Sequence, residues 1–171
     1  MWRILACAAL MWAMLALSAQ AQTSVKIVAL GTSNTEGWGV STSEAYPARL
    51  EALLKARGID ATVINAGIAG DTTGGMLARL DSAVPTGAQV VVLQPGSNDE
   101  RMGLAVERSH NIEKMRDRLA SRNAKLIVIE NEMLDALPRS ELQSDGLHFT
   151  PAGYAILAER ILPQVLAALE R

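Results

Sequence analysis

Two short strings of this chain hold three side chains able to pass one proton between them. Ser33 lies in Ala29-Leu30-Gly31-Thr32-Ser33-Asn34, directly after an apolar stretch, and Asp145-Gly146-Leu147-His148 follows much later. A serine hydroxyl is a weak nucleophile at neutral pH. It needs an imidazole within hydrogen-bond reach to take its proton, and a third group to hold that imidazole in the right tautomer. The i, i+3 spacing of Asp145 and His148 lets the carboxylate fold back to Nδ1 and leave Nε2 for Ser33. The chain has two histidines, and the second, His110, sits in a charged stretch and is expected to be solvated.

Two intervening strings add the other requirement of acyl chemistry. Asn65-Ala66-Gly67-Ile68-Ala69-Gly70-Asp71-Thr72 follows a strand-like stretch, and so does Gln94-Pro95-Gly96-Ser97-Asn98-Asp99. Each puts small or amide residues at the end of a strand. A tetrahedral oxyanion needs several preorganised donors, which a glycine N–H, an asparagine amide and the nucleophile's own N–H can supply.

Ser, Gly, Asn and His in this order, each in its own setting, resemble the SGNH (GDSL-type) hydrolase superfamily over residues 25–169. The strings Ala69-Gly70-Asp71-Thr72-Thr73 and Thr150-Pro151-Ala152-Gly153-Tyr154 look closest to its bacterial thioesterase I, lysophospholipase and arylesterase branch. The resemblance implies Ser33 as nucleophile, Asp145 and His148 as its catalytic partners, and Ser33, Gly70 and Asn98 as oxyanion-hole donors. It also implies hydrolysis of carboxylic ester or thioester bonds through an acyl-enzyme, with no cofactor and a small-molecule ester or thioester as substrate. Sugar O-acetyl esters are the nearest alternative substrate class. From another class, the alternative is a non-catalytic small-ligand-binding protein on the same fold. The first block departs from the family's Gly-Asp-Ser-Leu: Thr32 replaces the carboxylate and Asn34 the apolar residue. That changes the hydrogen bonding expected of the loop.

The elements that must carry these strings alternate between apolar runs and helical patterns, which predicts a parallel sheet with helices on both faces. Strands are expected at 25–30, 61–65, 89–93 and 125–130. Helices are expected at 45–56, with a Ser41/Glu44 capping box ahead of it, at 73–82, weakened by Gly74 and Gly75, and at 104–122, with Ile112, Met115 and Leu119 facing inward. The last helix begins with Thr150 as N-cap and Pro151 in its first turn. Residues 131–144 are few where relatives of the resembled type carry another strand and longer loops. The expectation is therefore a flavodoxin-like three-layer α/β/α SGNH fold with four strands in the order 2-1-3-4, the fifth reduced or absent. An open site favouring small acyl groups follows from the same brevity.

Residues 1–21 read as a secretory signal peptide: Arg3, an apolar run at 4–17, then Ser18-Ala19-Gln20-Ala21, with cleavage expected after Ala21. The apolar run is too short for a bilayer span, so no stable membrane insertion is expected once it is removed. Residues 22–171 then form one domain in the periplasm or outside the cell. Cys7, the only cysteine, lies within the leader, so the mature chain has no disulfide. A net charge of −2 with acids and bases interspersed gives no basic patch for nucleic acid. Asp71 and Asp99 lack companions at ligand spacing, so no metal is expected and they are read as caps and loop braces. Trp38 and Met102 flank the site loops and are candidates to line an acyl pocket, whereas Glu36 and Arg101 read as surface charge.

Overall fold

The computed structural model describes residues 24–170; the expected leader, with Cys7 and the cleavage point after Ala21, lies outside the described residues. The chain begins with β1 (Val25–Gly31), a one-turn helix α1 (Ser33–Glu36), α2 (Tyr46–Lys55) and β2 (Ala61–Gly67). There follow α3 (Thr73–Ala78), α4 (Leu80–Ala83), β3 (Val90–Gln94), α5 (Asn98–Arg101), α6 (Ala105–Ala120) and β4 (Lys125–Val128). Helix α7 (Asn131–Asp135), a 3-10 turn (Arg139–Glu141) and α8 (Pro151–Leu169) complete it. The four strands form one parallel sheet in the order β2-β1-β3-β4, as expected.

Alternation along the strands feeds two cores. Ile27 and Ala29 of β1, with Val90 and Val92 of β3, pack on one face with Tyr46, Leu50 and Leu54 of α2 and Tyr154, Leu157, Ile161 and Val165 of α8. Val28, Leu30, Val91 and Leu93 point the other way, onto Met76, Leu80, Met115 and Leu119. A period of two in the strands and 3.6 in the helices makes both layers possible from one chain. At about 1.5–3 kcal/mol for each large aliphatic or aromatic side chain fully buried, these two faces supply the main driving force for folding.

Register decides where the site is. Gly31 pairs with Gly67 on one side and Gln94 on the other, so β1, β2 and β3 finish level. The loops bearing Ser33, Gly70 and Asn98 therefore leave one edge of the sheet together, at the carboxyl ends of parallel strands, where open α/β folds take their ligands.

Three local expectations are corrected. Only half of the Ser41/Glu44 box forms: Ser41 N donates to Glu44 Oε2 at 3.0 Å, but Ser41 Oγ donates to the same oxygen and Glu44 N bonds Ser41 O, closing a turn of its own while α2 starts at Tyr46 with Ala45 as N-cap. Pro47 explains this, because its missing N–H is tolerated in a first helical turn and not further in. The helix expected over 73–82 is two helices meeting at Arg79 (φ −96°, ψ 8°). Strand β4 stops at Val128 because Glu130 turns away as N-cap of α7. The Thr150 N-cap stands as read: its Oγ1 accepts from Gly153 N at 3.1 Å.

Candidate active site

Ser33 is the first residue of α1, entered straight from β1 through Thr32. This abrupt turn is held from beneath by Gln94, the buried last residue of β3, whose Oε1 accepts from Thr32 Oγ1 at 2.9 Å, Thr32 N at 3.3 Å and Thr35 Oγ1 at 3.2 Å. Gly67 lets the turn sit low on the sheet: a Cβ there would lie 2.1 Å from Glu36 N. Thr32 thus puts a hydroxyl to work where the resembled family has a carboxylate.

The second loop approaches from the start of α8. Leu142 bridges to Phe149, and Gln143 N donates to His148 O at 2.7 Å, closing residues 143–148 into a hairpin-like loop. Gln143 Nε2 ties it to Trp38 O at 2.8 Å and Phe149 O at 2.7 Å. Asn34 spans both loops, accepting from Tyr154 Oη at 3.1 Å and donating to Leu147 O at 3.4 Å. Burial pushes the Tyr154 phenol up, so it remains a donor.

Within this frame Asp145 Oδ1 accepts from His148 N at 3.0 Å and Leu147 N at 2.9 Å, and Oδ2 lies 2.6 Å from His148 Nδ1. These hydrogen bonds, the His148 backbone one foremost, hold the Asp145 carboxyl well below the usual carboxylate range. An ionised carboxylate only accepts, which places the imidazole proton on Nδ1 and leaves Nε2 to accept from Ser33 Oγ at 2.8 Å. His148 is buried, with the half-exposed Trp38 ring stacked on it at a centroid distance of 5.7 Å. The three residues singled out by spacing thus form one hydrogen-bonded chain, arranged so that the imidazole can receive the hydroxyl proton.

The loops after β2 and β3 carry the other two candidates, Gly70 and Asn98. Gly70 has φ +79°, a conformation that favours glycine, in a turn closed by Asp71 N to Ile68 O at 3.1 Å. The backbone N–H groups of Ser33 and Gly70 donate to no acceptor among the described residues. Asn98 is buried at the start of α5 in a helical conformation and not in a left-handed turn, with Nδ2 donating to Asp71 O at 2.7 Å. Asp99 braces the two loops, accepting from Thr73 N at 3.0 Å and Thr73 Oγ1 at 2.5 Å. Asp71 pairs with Arg79 at 2.8 Å, and Arg79 also donates to Gly31 O at 3.3 Å.

Beside Ser33 lies a cavity of about 550 Å³ whose lining includes Thr32, Asn34, Arg101, Leu134, Arg139 and Leu147. Trp38 and Met102 do not line it. Both are largely exposed, and Trp38 lies against His148 instead. Glu36 is a brace, its Oε2 accepting from Ala69 N at 2.9 Å, and His110 is exposed on α6. Arg101, read from sequence as surface charge, lines the cavity and donates to Asn98 Oδ1. Gln94, Gln143 and Tyr154 were not singled out from sequence, because a polar residue's partner across the fold leaves no local trace; only the glutamine ending an apolar strand offered a signal.

The family model described as GDSL-like Lipase/Acylhydrolase matches residues 29–140. An arylesterase of Vibrio mimicus is 34% identical over 119 residues, which cover 67% of this chain and 58% of that protein. Esterase TesA of Pseudomonas aeruginosa is 31% identical over 117 residues, with the same two shares, so the chain spans 58% of the length of either relative. A crystal structure of TesA superposes with a TM-score of 0.76 at 25% identity, covering 84% of this chain and 99% of that one.

Proposed function

Because the chain belongs to the GDSL-like lipase/acylhydrolase family, we propose that it is a serine hydrolase cleaving small carboxylic ester or thioester substrates through an acyl-enzyme. The observation that carries this reading is the unbroken path from Ser33 Oγ through His148 to Asp145, at 2.8 and 2.6 Å. Ser33 Oγ attacks the carbonyl carbon while His148 Nε2 takes its proton, and Asp145 stabilises the imidazolium that forms. The oxyanion is received by Ser33 N–H, Gly70 N–H and the Asn98 amide. Collapse breaks the ester bond as His148 returns the proton to the leaving oxygen or sulfur. Water, deprotonated by the same imidazole, then attacks the acyl carbon and frees Ser33. No step calls on a metal or cofactor.

Residues 22–171 act as one domain, exported by the leader and released after Ala21 to the periplasm or beyond. Small acyl groups are preferred, because residues 131–144 contribute only α7 and a 3-10 turn to the cavity, where Asn131, Asp135 and Arg139 interrupt Leu134, Leu137 and Leu142. The same polar lining favours acetyl esters of sugars as a second substrate class.

The test is a fluorophosphonate probe together with acetyl, butyryl, octanoyl and palmitoyl esters below their micelle concentrations. Labelling at Ser33, with kcat/KM levelling off after the first few carbons, is expected. A full apolar trough would instead raise kcat/KM about fourfold per methylene, at about 0.8 kcal/mol each. A steady rise through palmitoyl overturns the acyl preference alone, whereas a folded protein that neither labels nor turns over is a binding protein on this fold.

A further inference from the structure

Asn98 is oriented by two groups that can each play one part only. The guanidinium of Arg101, three residues on in α5, can only donate, and it donates to Asn98 Oδ1. The carbonyl of Asp71 can only accept, and it takes a proton of Nδ2 at 2.7 Å. The amide is thereby held one way round, with the second Nδ2 hydrogen meeting no acceptor among the described residues. Arg101 has no carboxylate within ion-pair distance among them either, since Asp99 is held by Thr73 and Glu100 faces Arg108 at 3.8 Å. An undivided positive charge therefore rests on the oxygen of this amide, and Arg101, though not Asn98 itself, lines the cavity that contains Ser33.

We propose that Arg101 is a positioning residue of the oxyanion hole: by donating to Asn98 Oδ1 it holds the amide rotamer together with the Asp71 carbonyl and polarises Nδ2–H toward the developing oxyanion. A charged donor on an amide oxygen draws electron density from the nitrogen and strengthens the bond its N–H makes, and the effect grows where water is excluded. The stabilisation is small in the ground state and larger in the tetrahedral state, which is the condition for raising kcat without altering KM. The size of the effect is bounded. Without Arg101 the Asp71 carbonyl still selects the same amide orientation, so losing Arg101 costs less than losing Asn98. This inference rests on the acyl-enzyme reading, with Asn98 as a donor.

The experiment compares Arg101→Met, Arg101→Lys, Asn98→Ala, the Arg101→Met/Asn98→Ala double variant and Ser33→Ala. The readouts are kcat and KM for p-nitrophenyl butyrate, the rate constant for phosphonylation by a fluorophosphonate, and the melting temperature. Asn98→Ala is expected to lower kcat about 10²- to 10³-fold. Arg101→Met should lower kcat and the phosphonylation rate about tenfold, with KM within about twofold and the melting temperature near that of the parent. Arg101→Lys should recover most of the loss, and the double variant should be no slower than Asn98→Ala alone. A raised KM with unchanged kcat makes Arg101 a substrate contact and overturns the proposal, and so do losses that multiply in the double variant. An Asn98→Ala enzyme with undiminished kcat beside an inactive Ser33→Ala overturns the donor role and the Arg101 proposal with it, leaving the nucleophile standing. A Ser33→Ala protein that retains turnover and labelling overturns the acyl-enzyme reading itself.

Discussion

The two halves of the site are built on opposite principles. On the side made by α1 and the loop before α8, the reacting side chains are already paired: Ser33 Oγ with His148 Nε2, His148 Nδ1 with Asp145, and the other Asp145 oxygen with two backbone N–H groups. On the side made by the loops after β2 and β3, it is the supporting residues that are paired, Asp71 with Arg79 and Asp99 with Thr73, while the Gly70 N–H and one amide hydrogen of Asn98 meet no acceptor among the described residues. On the proposed acyl-enzyme reading, the difference follows from the chemistry each half would do. Proton transfer needs its partners in contact before the substrate arrives. Charge stabilisation needs donors that are fixed in place yet have nothing to give up when the oxyanion forms.

Breaking the paired half should have the largest effect. Ser33→Ala and His148→Ala are each expected to lower kcat by about 10⁶, and the double variant should be no worse than either, because the two residues act as one proton-transfer unit. Asp145→Ala should cost less, since it removes the orienter and leaves the base. Multiplying losses in steady-state kinetics would show that Ser33 and His148 work separately.

The other half should fail more gradually and through its supports. Asp99→Ala leaves the buried Thr73 N–H and hydroxyl without their acceptor, at a cost of about 1–3 kcal/mol for an unsatisfied buried donor. Urea unfolding should report that loss. The phosphonylation rate should fall about tenfold as the Gly70 and Asn98 loops lose register. A drop in stability with an unchanged rate would show that the brace does not reach the donors.

The same contrast governs what could be read from sequence. That Ser33, Asp145 and His148 meet was legible because proton transfer restricts residue type and spacing, and that Gly70 and Asn98 lie in loops leaving the same sheet edge was legible because each follows a strand. The strands were legible because Ile27 to Leu30 and Val90 to Leu93 are apolar throughout, as strands covered on both faces must be. The supports were not legible. That Gln94 holds Thr32 or Arg79 reaches Gly31 depends on strand register, which no local pattern states. Arg101 was read as surface charge for the same reason: its spacing from Asn98 acquires meaning only once α5 exists. The Ser41/Glu44 box was misplaced because a capping motif records a local turn and not which residues continue from it.

The smallest expected effect concerns Asn34, one of the two residues that depart from the family pattern, and it probes how rigid the paired half must be. Asn34 is buried and is the link through which Tyr154 of α8 and the His148 loop share a partner in α1: Tyr154 Oη donates to its Oδ1, and its Nδ2 donates to Leu147 O, one residue before His148. Asn34→Leu restores the apolar residue usual in the family but breaks both bonds. Tyr154 Oη is then left with only the long contact to Trp38 O at 3.5 Å. A net loss of about 1–2 kcal/mol in stability is expected, from two hydrogen bonds partly offset by the added apolar contact. The kcat should fall only about two- to fivefold, because Asp145, Gln143 and Trp38 still hold the imidazole. Tyr154→Phe removes one of the two bonds, so the pair forms a double-mutant cycle. A coupling of about 0.5–1.5 kcal/mol in urea unfolding, with Asn34→Leu costing more kcat than Tyr154→Phe, would place the Leu147 bond as the one that matters to His148. Equal and additive effects would mean that Asn34 fills space beneath the site and that the imidazole is positioned from Asp145 alone.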